Sequence, residues 1–187
     1  NCIYVDEKIF STITDVINPQ GIMAVIEKPD NKKQEIDYTQ DVYLILDNIQ
    51  DPGNMGTILR TADSLDIKQI IVSKGTADVY NLKVVRSTMG AIYRIKVVEV
   101  EDLAKTVKEL KKHKINVYAT DLRTDKSIYD VNYKKTAIVI GNEANGVSES
   151  VLNEASDRIK IPMAGKTESL NAAVATSVIL YEAYRQK

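Results

Sequence analysis

The chain has 187 residues, 44% hydrophobic and 27% charged, which are ordinary values for one globular domain with a sizeable core. It contains no run of eighteen apolar residues and no charged-then-apolar leader, so neither a membrane span nor a secretion signal is predicted. The net charge of −1 argues mildly against a large nucleic-acid surface made by this chain alone, although a local patch, a groove between two copies or a missing part could still supply one.

The chain has a single cysteine and a single histidine, which limits the chemistry it can perform. Cys2 cannot form an internal disulfide, and a cytoplasmic protein fits this usage best. One Cys and one His cannot form a zinc cluster, so no metal is predicted. His113 lies among lysines, and we interpret it as a surface residue at a helix end rather than as part of a Ser-His-Asp triad.

The first forty residues differ in composition from the rest of the chain. Because the first residue is Asn1 and not methionine, we expect the chain to begin inside a longer product. The apolar residues 21–26 predict a strand, and the polar residues after Pro29 indicate a linker. We therefore divide the chain into a front remnant at residues 1–29, a linker at 30–40 and a second domain at 41–187.

Strands and helices are predicted to alternate through the second domain. The predicted strands cover residues 42–46, 69–72, 95–100, 116–119, 136–140 and 158–161. Helical spacing is found at residues 58–65, 81–89, 103–110 and 170–185. This order predicts an α/β fold with a parallel sheet and helices on both faces. In such a sheet a ligand lies beyond the carboxyl ends of the strands, so the loops there are candidate sites.

The loop after the first strand of this domain indicates phosphate binding. Asn54 is expected to cap the next helix, and Arg60 follows within that helix. A helix start attracts phosphate, and an arginine can hold a phosphate with two parallel hydrogen bonds. The alternative for Arg60 is a surface ion pair with Asp63.

The loop after the fifth strand resembles a dinucleotide fingerprint in which the middle glycine is replaced. Gly141 and Gly146 bracket Glu143. A carboxylate at that place would repel a pyrophosphate, so a nicotinamide or flavin dinucleotide is disfavoured and a ligand with a positive centre is favoured. A plain strand-to-helix turn that uses glycine for positive φ remains the alternative.

The loop after the sixth strand offers backbone groups beside small side chains, which suits an adenine ring. The strand is expected to stop at Pro162, and Ser169 is expected to cap the closing helix, which begins at Leu170. Ser169 and Asn171 add polar groups near the helix start. The alternative gives Ser169 only a capping role and Asn171 only a local backbone hydrogen bond.

Together the three loops resemble the motifs of the SpoU (TrmH-like) family of RNA ribose 2′-O-methyltransferases, in the SPOUT superfamily. The matching segments are residues 54–60, 141–146 and 161–171, and residues 86–91 are similar to the family's intervening stretch. The resemblance covers residues 42–187. It implies a SPOUT-like fold with a deep C-terminal trefoil knot, S-adenosylmethionine as cofactor, RNA as substrate, and a homodimer with the knot and the closing helix at its interface. Residues before Pro29 resemble the tail of the L30e-like RNA-binding domain that many members carry in front.

The resemblance also implies which residues form the site. The implied cofactor-binding residues are Gly141, Glu143, Gly146, Ile161, Pro162, Met163, Leu170 and Asn171. The implied catalytic residues are Arg60, Asn54, Glu143, Ser169 and Asn171. Since an arginine is almost never deprotonated, we expect Arg60 to clamp the adjacent phosphate and orient the 2′-hydroxyl rather than act as a base. Asn54 is expected to orient the ribose or hold Arg60, and Glu143 to shape the site.

Three other functions are weighed against this one. A domain that binds RNA or cofactor without catalysis is disfavoured because all five implied catalytic residues are present. A SPOUT branch that methylates a base nitrogen is disfavoured by the spacing of Asn54 and Arg60 and by residues 169–171. A dinucleotide oxidoreductase is disfavoured by Glu143. Ribosomal RNA is the expected substrate, because family members with a front domain and this third motif often act there, and transfer RNA stays open.

Overall fold

The computed structural model describes residues 2–187, so Asn1 and the expectation attached to it lie outside the described residues. The α-helices are α1 (Glu7–Ile13), α2 (Pro52–Ser64), α3 (Leu82–Ser87), α4 (Leu103–Lys112), α5 (Glu149–Glu154) and α6 (Ala172–Arg185). The strands are β1 (Val42–Leu46), β2 (Gln69–Ser73), β3 (Lys96–Val100), β4 (Asn116–Thr120), β5 (Thr136–Ile140) and β6 (Asp157–Ile159). Short 3₁₀ helices cover Asn31–Lys33 and Ala91–Tyr93.

The six strands form one parallel sheet in the order β3-β2-β1-β5-β4-β6. At its centre, Leu44 of β1 is paired with Ile70 on one side and with Ile138 on the other. All five residues of β1 and of β5 are buried, as expected for strands covered on both faces. The predicted parallel α/β sheet is therefore confirmed.

The two faces of the sheet carry two separate apolar cores. Because side chains alternate along a strand, Leu44 and Leu46 point to one face, and Tyr43 and Ile45 to the other. Helices α2, α3 and α6 contribute buried residues to the first core, whereas α4 and α5 contribute to the second. Helices thus lie on both faces, as predicted.

Helix α2 begins earlier than the sequence predicted. Asp51 is its N-cap, and the Asp51 Oδ1 accepts a hydrogen bond from the Asn54 backbone N–H at 2.8 Å. The prediction that Asn54 caps this helix is therefore wrong. The reason is Pro52, whose fixed φ and missing N–H suit the first helical position and give the cap to the residue before it.

Helix α6 begins later than predicted, at Ala172. Asn171 is its N-cap, and the Asn171 Oδ1 accepts hydrogen bonds from the backbone N–H groups of Ala173 and Val174, at 3.0 and 3.3 Å. The prediction that Ser169 caps this helix is wrong. Asn and Ser are about equally good caps, so local preference alone could not decide between two positions this close in the chain.

Residues 2–29 form little regular structure. Helix α1 is capped by Asp6, and none of its residues is buried. The strand predicted at residues 21–26 is wrong, because these residues pair with no described strand, and Ile22 and Val25 are exposed. An extended segment becomes a strand only where a neighbour satisfies its backbone groups, and the described chain offers none here.

Residues 30–40, interpreted as a linker, are held together with Lys28 along the outer edge of the sheet. Near β3, the Tyr80 hydroxyl donates to the Asn31 Oδ1 at 3.1 Å. Lys32 forms an ion pair with Glu99 of β3 at 3.7 Å. Lys28 lies over the Tyr80 ring, 4.9 Å from its centroid. This segment is therefore packed against the domain and is not a free tether.

The end of the same segment packs near the amino end of β2 and the end of α4. The buried Gln69 side chain accepts a hydrogen bond from the Asp37 backbone N–H at 2.9 Å. Tyr38 stacks on His113, with ring centroids 3.8 Å apart. His113 does end α4 and is partly exposed, as interpreted, but its stacking partner was not predicted, because the two rings are far apart in the sequence.

Two further features of residues 2–187 concern membranes and metals. No helix in this part of the chain is long and apolar enough to cross a membrane. The same residues contain no group of three or more His, Cys, Asp or Glu side chains that could hold a metal ion. Cys2 is exposed and has a free thiol.

Candidate functional site

A cavity of about 900 Å³ lies at the carboxyl edge of the sheet. The loops after β4, β5 and β6 and the start of α6 form its walls. The predicted site residues that line it are Gly141, Glu143, Gly146, Ile161, Met163, Ser169, Leu170 and Asn171. Asn54, Arg60 and Pro162 do not line it. Its volume is in the upper range of small-molecule sites, which is about 300–1,000 Å³.

The loops after β1 and β5 lead to opposite faces of the sheet, and hydrogen bonds close the space between them. The Asp47 Oδ2 accepts from the Ser148 backbone N–H at 2.8 Å. The Asn142 Nδ2 donates to the Asn48 carbonyl at 2.8 Å. A point where neighbouring strands lead to opposite faces commonly binds the ligand in such sheets. Here protein groups fill that point, and the cavity lies on the other side of the β5 loop.

The glycines of the β5 loop are required by its tight turn. Asn142 and Gly146 exchange two backbone hydrogen bonds, at 3.0 and 2.9 Å. A Cβ on Gly141 would overlap the backbone of Gly146 and Val147, and Gly146 has a φ of +70°. The alternative of a plain turn therefore explains both glycines, and the same turn holds Glu143 at the cavity wall.

Three predicted site residues from three different loops form one chain of side-chain hydrogen bonds. The Asn54 Nδ2 donates to the Glu143 Oε1 at 2.9 Å. The Asn171 Nδ2 donates to the Asn54 Oδ1, also at 2.9 Å. The Asn171 Oδ1 in turn caps α6. Because both asparagines use a donor and an acceptor, this Glu143–Asn54–Asn171 chain fixes the orientation of both amides.

Glu143 is held as an ionised carboxylate. Its two oxygens also accept hydrogen bonds from the backbone N–H groups of Gln50 and Asp51, at 3.2 and 3.3 Å. Burial by itself raises the pKa of Glu143, but the hydrogen bonds from Asn54 and from these amides more than offset burial and bring the pKa below its ordinary value. At neutral pH this group therefore only accepts hydrogen bonds.

Arg60 lies apart from this chain of hydrogen bonds. It is exposed on α2 and forms no ion pair with any residue of 2–187. Asp63, its alternative partner, is bound by Arg94 at 2.7 Å instead. Arg60 follows Asn54 by six positions, which places it about 9 Å along the helix and about a third of a turn around it. The hypothesis that Asn54 holds Arg60 is therefore not what the structure shows.

The loop between β6 and α6 is the least constrained wall of the cavity. Residues 161–170 make no hydrogen bond to any other residue in the described part of the chain. Residues 162–169 are exposed, and only Ile161 and Leu170 at its ends are partly buried. The backbone N–H and C=O groups of this loop are thus free to bind water or a ligand.

The loop after β4 also lines the cavity, which the sequence analysis did not predict. Arg123 donates to Asp121 at 3.0 Å and to Glu149 at 2.8 Å, and so joins this loop to α5. The hydrogen bonds from Arg123 lower the pKa of Asp121 against the effect of burial. Its place after a buried strand was the only sequence signal for this loop.

The charged side chains that line the cavity are mostly acidic. Its carboxylates are Asp121, Glu143, Glu149 and Glu168, and its cations are Arg123 and Lys160. Such a lining favours a ligand with positive charge and disfavours one with several phosphates. The structure therefore agrees with the prediction drawn from Glu143 in the sequence.

Comparison with known proteins gives a consistent result. Residues 41–181 match the profile of the SpoU rRNA Methylase family. The chain is 35% identical over 181 residues to the 23S rRNA (guanosine(2553)-2′-O)-methyltransferase RlmP of Bacillus subtilis, covering 96% of this chain and 71% of that protein. It is 41% identical over 150 residues to the putative TrmH family tRNA/rRNA methyltransferase YacO of the same bacterium, which covers 79% of this chain but only 60% of that relative. An AdoMet-bound rRNA methyltransferase structure from Sinorhizobium meliloti has a TM-score of 0.80 and 33% identity, covering 96% of this chain and 70% of that one.

Proposed function

Because the chain belongs to the SpoU rRNA methylase family, we propose that it transfers a methyl group from S-adenosylmethionine to a ribose 2′-hydroxyl of RNA. Ribosomal RNA is the proposed substrate, since the relative RlmP is named for 23S rRNA. The observation that carries this proposal is the acidic cavity, whose wall is joined to α2 by the Glu143–Asn54–Asn171 chain.

The cavity fits S-adenosylmethionine in size and in charge. Its acidic lining complements a sulfonium cation. The unbonded backbone of residues 161–170, together with Gly141, would hold the adenine end, because a purine edge needs both donors and acceptors. When bound, the cofactor supplies a methyl group that is electrophilic enough to react with an alcohol oxygen. The protein must then bring that oxygen into line and manage its proton.

The residues at the mouth of the cavity have distinct roles in this proposal. Ser169 and Asn171 would place the ribose, and Asn54 would keep the Asn171 amide in one orientation. Glu143 is a positioning residue, since its oxygens already bind Asn54 and two backbone amides. Arg60 would clamp the neighbouring phosphate, and a phosphate oxygen or water would accept the hydroxyl proton, because a guanidinium does not give up its own.

A homodimer is part of the proposal. In one chain Arg60 does not line the cavity, and a second copy would bring the Arg60 of one chain to the cavity of the other. Helix α6 supports this arrangement, because Val174, Tyr181 and Tyr184 are 49%, 54% and 56% exposed on it. These apolar and aromatic side chains would be covered by the second copy.

We also propose a C-terminal trefoil knot and a front RNA-binding domain. Strand β6 lies at the edge of the sheet, yet α6 packs with α2 near its centre, so residues 160–171 cross over the ends of β4 and β5. That crossing supports a knot. The exposed apolar side chains within residues 2–29, such as Ile17 and Val25, support a remnant of an L30e-like RNA-binding domain at 1–29, joined through 30–40 to the domain at 41–187.

The first test is calorimetric titration of the chain with S-adenosylmethionine and, separately, with NADH. We expect S-adenosylmethionine to bind and NADH not to bind. Transfer of a tritium-labelled methyl group to unmodified 23S rRNA, followed by nuclease digestion, then identifies the methylated atom. A folded chain that binds NADH, or that methylates a base nitrogen, would contradict the proposed function.

A further inference from the structure

Residues 52–95 hold an excess of positive charge on a chain whose net charge is −1. This stretch contains six lysine or arginine residues and three carboxylates. Each carboxylate is in an ion pair: Asp63 with Arg94, Asp66 with Lys68 and Asp78 with Lys28. Lys74 is paired with Glu101. Within residues 2–187, Arg60, Lys83 and Arg86 form no ion pair, so the excess charge is concentrated on α2 and α3.

The three unpaired cations lie on two helices that pack together. Helix α3 contacts α2 at Gly56, where a Cβ would overlap the Ser87 Oγ. Arg86 is next to Ser87 in the chain, and Arg60 follows Gly56 by one turn of α2 on nearly the same side of that helix. The residues similar to the family's intervening stretch therefore lie on elements that pack against α2, and none of them lines the cavity.

Helix α3 and the turn after it also expose large apolar side chains. Leu82, Met89 and Tyr93 are 57%, 72% and 69% exposed. Met89 has a φ of 51° at the end of α3, and the chain then turns into the 3₁₀ helix that contains Tyr93. This 3₁₀ helix packs against α2. An exposed aromatic ring together with unpaired cations is typical of surfaces that bind single-stranded RNA, where bases stack and phosphates are neutralised.

We propose that this α2–α3 surface, defined by Arg60, Lys83, Arg86 and Tyr93, binds the RNA strand that flanks the methylated nucleotide. The inference rests on the proposed function, and it names the surface along which the RNA substrate lies. Lys83 and Arg86 contact phosphates, and Tyr93 stacks on a base. The path is continuous with Arg60, which clamps the phosphate next to the reacting ribose.

The second copy in the proposed homodimer approaches this surface at Arg60, and a second copy is a poorer occupant of the part around Lys83 and Arg86. A two-fold contact centred here would place the surface against itself, so the unpaired cations of both copies would face one another. Like charges brought together in this way repel, whereas an RNA strand supplies one negative charge per nucleotide.

The test compares the double variant K83A/R86A with the wild type and with K105A. Lys105 is a matched control, because it lies on α4 across the sheet and has no ion pair in the described chain. Methyl transfer is measured on unmodified 23S rRNA, and binding on a fluorescent RNA of about 20 nucleotides at several KCl concentrations. Sedimentation measures the oligomeric state of each variant, thermal unfolding its stability, and titration its affinity for S-adenosylmethionine.

We expect K83A/R86A to raise the KM for RNA about tenfold and to leave kcat and cofactor affinity within about twofold. The slope of log K against log salt should fall by about 0.7 for each phosphate contact removed. The single variant R86K keeps the positive charge and should retain most of the wild-type affinity for RNA. A double variant that behaves like K105A would contradict the inference, and so would one that changes the oligomeric state.

The two proposals fail in different ways. If the wild type binds RNA with a salt dependence that needs Lys83 and Arg86 but does not bind S-adenosylmethionine, the proposed function fails and the α2–α3 surface stands. If the wild type methylates RNA and all variants match it, only the surface is wrong. A wild type that binds the cofactor but shows no salt-dependent RNA binding also overturns the surface.

Discussion

The loop after β5 and the loop after β6 line the same cavity, but they are held in different ways. Glu143 of the first loop is fixed by Asn54 and by two backbone amides, and the turn that carries it is closed by two further hydrogen bonds. Residues 161–170 of the second loop make no hydrogen bond to the rest of the described chain. Under the proposed function, the polar groups that would position the substrate are thus ordered in advance, whereas the groups that would contact the cofactor are left free to bind it.

Breaking the rigid loop should have the largest effect. G141A would force a Cβ into the backbone of Gly146 and Val147. We expect the free energy of unfolding to fall by about 1–3 kcal/mol and S-adenosylmethionine to bind at least about a hundredfold more weakly, a loss of about 2.7 kcal/mol.

The matched control for G141A is a glycine in the loop after β6. Apart from its chain neighbours, no atom lies within 4 Å of a Cβ built on Gly165, so G165A should leave the free energy of unfolding unchanged and weaken S-adenosylmethionine binding far less than G141A does. Calorimetry measures how tightly each of the two variants binds S-adenosylmethionine, and thermal unfolding measures their stability. Equal effects of the two substitutions would remove the distinction between the loops.

Removing the hydrogen bond between Asn171 of the α6 cap and Asn54 should have the second-largest effect. N171A removes the helix cap and the bond to Asn54. We expect about 1 kcal/mol less stability and a fall in kcat/KM of about 10- to 100-fold, because under the proposed function Asn171 places the ribose.

Asp102 caps α4 on the opposite face in the same way, so D102A controls for the loss of a cap alone. D102A should lower stability by a similar amount and leave methyl transfer unchanged. A similar loss of activity in both variants would mean that Asn171 matters only as a cap.

Hydrogen exchange can sharpen the comparison without any substitution. Amides of residues 163–170 should exchange fast in the free chain, and at least about tenfold slower when S-adenosylmethionine is bound at saturation. Amides of β5 and of the turn after it should change much less, because they are already bonded. Protection that appears first in the β5 turn would reverse the roles of the two loops.

The smallest expected effect is on the pH dependence of stability. The pKa of Glu143 is lowered in the folded chain, so its hydrogen bonds contribute stability above the ordinary glutamate pKa of about 4.5, and this contribution is lost as the pH falls through the lower folded value. E143Q should therefore make stability less sensitive to pH below about 4.5, at the cost of a weaker site at neutral pH. Thermal unfolding from pH 7 to pH 3 measures this, and an unchanged pH dependence would show that the carboxylate is not held as described.

The sequence predicted where the cavity lies but not how its walls are joined. Strand order alone places the loops at residues 141–146 and 161–171 at one edge, because the carboxyl ends of parallel strands meet there. The contact between Asn54 and Asn171 joins residues far apart in the chain, and no local pattern announces it. The loop at 120–123 was missed because Arg123 and Asp121 look like ordinary surface charges until the fold brings Glu149 beside them.

The errors at the helix ends and the wrongly predicted strand have different physical causes. Asp51 and Asn54, or Ser169 and Asn171, are competing caps a few residues apart, and the neighbouring residues, such as Pro52, decide which of them caps the helix. The strand predicted at residues 21–26 has suitable composition but no described neighbour. Local preference thus identified the helices but not the residues that cap them, whereas the strand prediction failed because a strand also needs a neighbour that local composition does not show.

The segment at residues 28–40 protects the sheet from self-association. Strand β3 is at the outer edge of the sheet, where unpaired backbone groups invite a strand from another molecule. The 3₁₀ helix Asn31–Lys33 and the ion pair of Lys32 with Glu99 cover that edge. A shortened chain that began at residue 41 would keep the cavity and the hydrogen-bond chain, but it would uncover β3 and be prone to aggregate. The catalytic domain is therefore best isolated with this segment attached.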